Sequence, residues 1–249
     1  MQQLTAVILT KNEEANIIDV VKNASAVADK VLIVDSGSTD ATVELAKESG
    51  AEVIYRAWDN NFAAQRNFAL KYIDTYWTLY LDADERLDKD LISAIRNIVN
   101  NENNKQYIMM RKIHAFGFTY KHGIFKPDEV LRLFPTKSVR WVNKVHEKPV
   151  CDFPKEKLRG FIEHYTYTSW QQWWDKAGHY TSIWADDVYE KGKRTSISGA
   201  FFHATYGFIR AYILQLGFLD GWSGLYSSLQ HFIYTLMKYL KLYELNKKK

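Results

Sequence analysis

Asp82 and Asp84 stand two residues apart in "LYLDADERL" (79–87), behind a run of apolar and aromatic residues. Side chains two apart on an extended strand point to the same side, so both carboxylates are expected to converge where that strand ends. Converging carboxylates need a cation, a proton or a ligand hydroxyl to offset their repulsion. The competing reading is a cap for a helix starting near Leu87, a job for which Asp88 is better placed. Glu85 and Arg86 join the cluster without an assigned role. In "KVLIVDSGSTD" (30–40), Asp35, Ser36, Ser38 and Asp40 form a polar turn behind an apolar run. Asp35 is suited to accept hydrogen bonds from a ribose or base at a strand end, and Asp40 to cap the next helix. "LTKNEE" (9–14) brings Thr10, Lys11 and Asn12 to a third strand end. Neither G-x-G-x-x-G after the first strand nor G-x-x-x-x-G-K-[ST] is present, which disfavours dinucleotide and P-loop chemistry.

The elements that position these residues are read from period. "TAVILT" (5–10), 30–35, "AEVIYR" (51–56) and "WTLYLDAD" (77–84) are short apolar runs. Between them the spacing turns helical: through Ile17, Val21, Ala24 and Ala28; through Val43 and Ala46 with Gly50 past the end; over 61–74; and through Leu91, Ile95, Ile98 and Val99. Strands of near-continuous apolar character alternating with helices predict a mostly parallel sheet covered on both faces. Ligands in such sheets sit at the carboxyl ends of the strands. From about residue 105, "YIMMRKIHAF", "EVLRLFP" and "LRGFIEHYTY" read as strands with no helix between them. The chain after Ser169 reads as three helices: 169–191 with a stripe of Trp173, Ala177, Tyr180, Trp184 and Val188, then 198–217 and 223–245.

Length and composition narrow the class. The chain has 249 residues, enough for one large domain or a core with an appendage. Its formal charge of +4 is too small and dispersed for a nucleic-acid footprint. The single cysteine excludes an intramolecular disulfide and a Cys-based zinc site. The first residues show no basic n-region and no long apolar run, so no signal peptide is expected. The greasiest stretch, 201–219, is interrupted by His203, Arg210 and Gln215 and falls short of a membrane span.

"VILTKNEEANI", "VLIVDSGSTDAT", "AAQRNFAL" and "LYLDADERL", in this order over residues 4 to about 100, resemble the N-terminal half of a family 2 glycosyltransferase. Downstream, "VLRLFP", "NKVHEKP" and "IEHYTYTSW" more loosely resemble the bacterial subgroup that includes lipopolysaccharide core β-glucosyltransferases. The resemblance implies a GT-A fold: a mostly parallel central sheet flanked by helices, with a C-terminal helical extension. It implies a catalytic domain over 1–168, whose 1–104 half binds the nucleotide sugar and whose 105–168 half serves acceptor and catalysis. Residues 169–249 would be the extension.

It further implies a nucleotide-diphospho-sugar donor and a divalent metal, Mg²⁺ or Mn²⁺. Asp35 would contact the base or ribose with Thr10 and Asn12 nearby; Arg66 would face the diphosphate or hold the donor. Asp82 would reach the ribose or sugar, and Asp84 would bind the metal with His164 as a further ligand. Glu147 would be the general base, with His146 orienting it or touching the acceptor; Asp128 and Glu129 compete for that role. Such relatives often hold the base in an acidic pair, which this chain lacks at Glu147.

The expected reaction is transfer of a hexose, glucose from UDP-glucose, to a cell-envelope glycolipid or oligosaccharide acceptor such as lipopolysaccharide core. A sugar nucleotidyltransferase is the first alternative, though "LTKNEE" has no glycine for the loop such enzymes use. The second is a non-catalytic binding protein of the same fold. Trp170, Trp173, Trp174 and Trp184 read either as sugar-stacking platforms or as core. The aromatic helices with "MKYLKLYELNKKK" read either as an interfacial membrane contact or as a homodimer interface. A cytoplasmic protein peripheral to the inner membrane is the expected setting.

Overall fold

A computed structural model describes residues 3–143 and 147–247. The four predicted N-terminal strands form as β1 (Leu4–Thr10), β2 (Lys30–Asp35), β3 (Glu52–Tyr55) and β4 (Trp77–Asp82). Then come β5 (Glu85–Leu87), β6 (Gln106–Ala115), β7 (Phe118–Thr119), β8 (Asp128–Pro135), β9 (Arg140–Val142), β10 (Lys148–Val150) and β11 (Lys155–Tyr167). The helices are α1 (Ile17–Ala24), α2 (Thr42–Glu48), α3 (Phe62–Ala69), α4 (Lys89–Val99), α5 (Trp170–Glu190), α6 (Ile197–Ile209) and α7 (Gly221–Lys247). The chain divides into two compact units, residues 1–111 with 128–164 and residues 112–127 with 165–249. It passes from one to the other within β6 and within β11.

In the first unit the strands follow the order β3-β2-β1-β4-β8-β6-β11-β5. β1 pairs in parallel with β2 and β4, and β2 with β3; β8 joins β4, β6 joins β8 and β5 joins β11 antiparallel. The period of two explains why the first strands read as continuous apolar runs. Leu4, Ala6 and Ile8 of β1, Val31 and Ile33 of β2, and Trp77, Leu79 and Leu81 of β4 enter one core with α1 and α4. Val7, Leu32, Val34 and Tyr80 enter the other with Ala63, Ala69 and Trp141. Both faces are dry, so β1, β2 and β4 are mainly apolar until they end, and the buried Thr5 and Thr78 within them have hydroxyl partners in Thr75 and Thr136. The register then aligns those ends: Thr10 lies opposite Asp35, and Leu9 opposite Asp82.

Several boundaries differ from expectation for local reasons. The helix after β4 starts at Lys89 rather than near Leu87, because residues 85–87 pair with β11. Asp88 is its cap, accepting from Leu91 N at 2.8 Å. Asp40 lies one residue before the N-cap of α2 and accepts from the Thr42 amide and hydroxyl in an Asx turn. The predicted 61–74 helix is capped by Asn61 and ends at Ala69, with one 3₁₀ turn after it.

The second unit is built on α5, α6 and α7 around Ala185, Ala200, Tyr239 and Leu242. Tyr239 stacks on His203 at 4.0 Å and meets Trp184 edge-on. Trp173 is buried, whereas Trp170 and Trp174 remain 40% and 43% exposed, so the tryptophan stripe is only partly core. The predicted 198–217 helix ends at Ile209 and continues as a π turn over Arg210–Leu214. Among the described residues no helix is long and apolar enough to cross a membrane.

Candidate active site

The strand ends deliver polar groups to one edge, as the parallel pattern requires. Asp35 is buried and accepts from Gly37 N at 2.8 Å, Ser38 N at 3.0 Å and Ser38 Oγ at 2.5 Å, with Thr10 Oγ1 3.4 Å away. Asn12 occupies the left-handed region at φ 56°, which asparagine tolerates better than most residues. Its amide donates to Ser38 Oγ and its Oδ1 accepts from Thr39 N, tying the turn after β1 to the turn after β2. Thr10, Asn12 and Asp35 are therefore one hydrogen-bonded assembly, which orders the edge before any ligand arrives.

Asp82 and Asp84 do not converge. β4 ends at Asp82 and the chain turns through Ala83 and Asp84, so the alternation that would align the two carboxylates stops between them. Asp82 Oδ1 accepts from Arg66 Nη2 and Oδ2 from Arg132 Nη2, both at 2.7 Å. Burial pushes the Asp82 carboxyl up, but the Arg132 and Arg66 guanidiniums override it and hold the group well below the usual carboxylate range. Arg132 also donates to Glu85 Oε1 at 2.7 Å, which Arg111 Nη1 approaches at 3.2 Å. Glu85 Oε2 accepts from the Asp82 amide at 3.0 Å. Burial lowers the Arg132 guanidinium and the Asp82 and Glu85 charges more than reverse it, so it stays protonated. Arg86 donates to the carbonyls of Ala83, Glu85 and Asn16, bracing the turn.

Asp84 faces His164 instead, with Oδ2 3.2 Å from Nε2. The other ring nitrogen, Nδ1, is buried without a partner. Among the described residues no group of three His, Cys, Asp or Glu side chains is placed to hold an ion. A carboxylate and an imidazole still fit a divalent cation that takes its remaining ligands from diphosphate and water, as Mg²⁺ does in phosphate-transfer sites.

Glu147 Oε1 lies 3.4 Å from Arg66 Nε, so one guanidinium reaches both Asp82 and Glu147. The Arg66 side chain is 3% exposed and lies over the Trp141 ring at 4.7 Å. Arg66, Asp82, Arg132, Trp141 and Glu147 line one cavity of about 560 Å³. Two donors of its lining residues, Arg66 Nη1 and Arg132 Nε, are buried without a partner. Of the competing carboxylates, Glu129 lines the same cavity and pairs with Lys157 at 2.9 Å, and Asp128 takes a fork at 2.8 and 3.0 Å from Arg111, another lining residue. His146 lies outside the described residues.

Known proteins share this sequence pattern. The family model described as Glycosyl transferase family 2 matches residues 5–149. The chain belongs to glycosyl transferase family 2. An uncharacterized glycosyltransferase of Rickettsia typhi is 30% identical over 98% of this chain and 87% of its own. The lipopolysaccharide core biosynthesis glycosyltransferase LpsC of Rhizobium meliloti is 28% identical over 97% of this chain and 92% of its own. A crystal structure of glucosyl-3-phosphoglycerate synthase from Mycobacterium tuberculosis with Mn²⁺, UDP and glucosyl-3-phosphoglycerate matches at TM-score 0.39 and 18% identity. That match covers 55% of this chain and 57% of the synthase.

This family 2 glycosyltransferase has a GT-A-type mixed sheet in which the strand-end acid Asp82 is held by Arg66, which the sequence singled out, and by Arg132, which it did not. Arg132, Arg111 and the buried Glu85 were all in view within the quoted stretches. The available signal was charge inside apolar strand patterns: arginine in "VLRLFP" is expensive to bury unless paired.

Proposed function

We propose that this glycosyltransferase is an inverting, metal-dependent hexosyltransferase that moves glucose from UDP-glucose to a cell-envelope glycolipid such as lipopolysaccharide core. The observation that carries this reading is the shared guanidinium of Arg66, which ties the strand-end acid Asp82 to Glu147 across one cavity wall. Glu147 takes the proton of the acceptor hydroxyl as that oxygen bonds to the anomeric carbon. The bond from that carbon to the diphosphate oxygen breaks, and its electron pair leaves with the diphosphate. A divalent ion, when bound, offsets the charge gathering on that leaving group. Asp84 and His164 would hold it, while Asp35, Thr10 and Asn12 face the nucleoside and Asp82 the ribose or sugar. The name of the Rhizobium relative supports a lipopolysaccharide acceptor. Residues 1–168 would carry the chemistry at the cytoplasmic face of the inner membrane. The helices of 169–249 would meet that membrane or a second copy.

The test is release of nucleoside diphosphate from a panel of UDP- and GDP-sugars, with Mn²⁺ or Mg²⁺ titrated in. UDP-glucose should be turned over, and Asp84→Ala or His164→Ala should raise the metal concentration needed at least tenfold. Glu147→Gln should lower transfer by about 10²–10⁴ while leaving UDP affinity intact. Full transfer by Glu147→Gln, or turnover indifferent to metal, would overturn the assignment.

A further inference from the structure

The second unit carries an apolar surface that no part of it covers. From residue 195 to 237 the only Asp, Glu, Lys or Arg residues are Arg210 and Asp220. Phe202 on α6, Leu214 in the π turn, Leu219 in the 3₁₀ turn and Trp222 at the start of α7 are 69%, 64%, 56% and 83% exposed. Phe201, Tyr206 and Ile209 on α6 and Ile213 in the π turn are also exposed at 40% or more. Patches of this kind mark interaction surfaces in soluble domains.

The tip between α6 and α7 is built rather than frayed. A Cβ on Gly224 would lie 1.7 Å from Gly217 O, so two glycines let the backbones touch. Leu216 is held in the left-handed region at φ 58°, and Gly123 N donates to Gln215 O at 2.9 Å. Asp220, the one acid of the tip, accepts from Lys121 N, His122 N and His122 Nδ1, and its side chain is 6% exposed. Lys121 and Lys126, on the segment clamped to the tip, and Arg210 in the π turn are exposed cations. The tip and the segment clamped to it therefore expose apolar bulk and three cations, with their one acid buried.

We infer that this tip and the outer stripe of α6 seat the protein on an anionic lipid surface, with Leu219 and Trp222 entering the headgroup–acyl boundary. Interfacial binding combines buried apolar area with attraction between cations and anionic headgroups, and tryptophan suits that boundary because one part of its ring system is apolar and another donates. A second copy of the chain is the competing occupant, and the oligomeric state of the variants separates it from lipid. The inference deepens the glycolipid-acceptor reading and rests on it for its purpose. Of the lysines in "MKYLKLYELNKKK", Lys241 donates to Gly178 O, Thr181 and Ser182, and Lys238 lies over the Trp184 ring, so these two face α5, while Lys248 and Lys249 lie outside the described residues.

The experiment is co-sedimentation of the full chain, without substrates, with vesicles of phosphatidylcholine alone and of phosphatidylcholine mixed with phosphatidylglycerol. Binding should be stronger to the mixed vesicles and weaken with salt. Lys121→Gln and Lys126→Gln should each weaken it about fivefold, the equivalent of about 1 kcal/mol per cation. Leu219→Glu with Trp222→Glu should weaken it at least tenfold, with nucleotide-sugar hydrolysis and thermal melting unchanged. Phe202→Glu, on α6, supplies an independent variant should the tip pair fold poorly. Undiminished vesicle binding by these variants would overturn the inference. So would a wild-type dimer that ignores vesicles and that the same substitutions dissociate. Loss of vesicle binding with full transfer to a detergent-solubilised acceptor would leave the transfer reading standing, and failed transfer with intact vesicle binding the reverse.

Discussion

Replacing Arg132 with methionine is the most informative perturbation of the charge network. The Arg132 side chain is 7% exposed and its Nη2 lies 2.7 Å from both Asp82 Oδ2 and Glu85 Oε1. Methionine fills much of the same volume and removes the charge. Glu85, fully buried, keeps the Asp82 amide at 3.0 Å and Arg111 at 3.2 Å, and Asp82 keeps Arg66. Removing one partner of a buried ion pair costs about 3–5 kcal/mol because a charge is left behind. The surviving partners put Arg132→Met at the lower end, about 3 kcal/mol. For a chain of this size that shifts the melting temperature by roughly 6–12 °C. Urea unfolding followed by circular dichroism reads it as a lower midpoint with an unchanged slope. Adding Glu85→Gln removes the stranded charge while keeping an acceptor for the Asp82 amide, so the double variant should recover about half of the loss. A single-variant loss below about 1 kcal/mol, or a double variant that loses the sum of the two singles, would refute the claim that these groups act as one network.

Two further outcomes follow from the same geometry. The Asp82 carboxyl is held well below its unfolded value, so its contribution to stability is present above the unfolded carboxylate range and is lost as pH falls from there towards the folded value. In that window the unfolded chain binds the extra proton, and Asp82→Asn should flatten the acid limb of stability against pH by up to about one proton; an unchanged limb contradicts the pairing. Gly160 on β11 has φ 104°, and a Cβ there would lie 2.3 Å from Leu91 N and 2.6 Å from Asp88 Oδ1. Gly160→Ala should therefore push the cap of α4 aside and cost about 2–4 kcal/mol, whereas a neutral urea midpoint would show that this close approach is not required.

Much of the scaffold was legible in order along the chain. Short, near-continuous apolar runs and stripes of period 3.6 located the strands and helices, and a parallel sheet had to end its strands on one edge. That places Thr10, Asp35 and Asp82 together from pattern alone, and their registers agree. Pattern failed where an element was short or a turn intervened. β5 is three residues long, too short for periodicity to register, and its pairing with β11 turned Glu85 inward and Asp84 towards His164. The expected convergence of Asp82 with Asp84 assumed a strand that continues, and this one stops.

The sequence by itself determined the order of the longer strands and helices, and that acids gather where the first strands end, because apolar runs and helical stripes are local patterns. Only the tertiary structure decided what answers those acids. Arg132 meets Asp82 across 50 residues of chain and Glu85 across 47, and Arg66 meets Glu147 across 81. The Arg132 meetings depend on β8 entering the sheet antiparallel beside β4. Pairing of this kind is set by which strand edges find each other, and it leaves no period in the sequence to read.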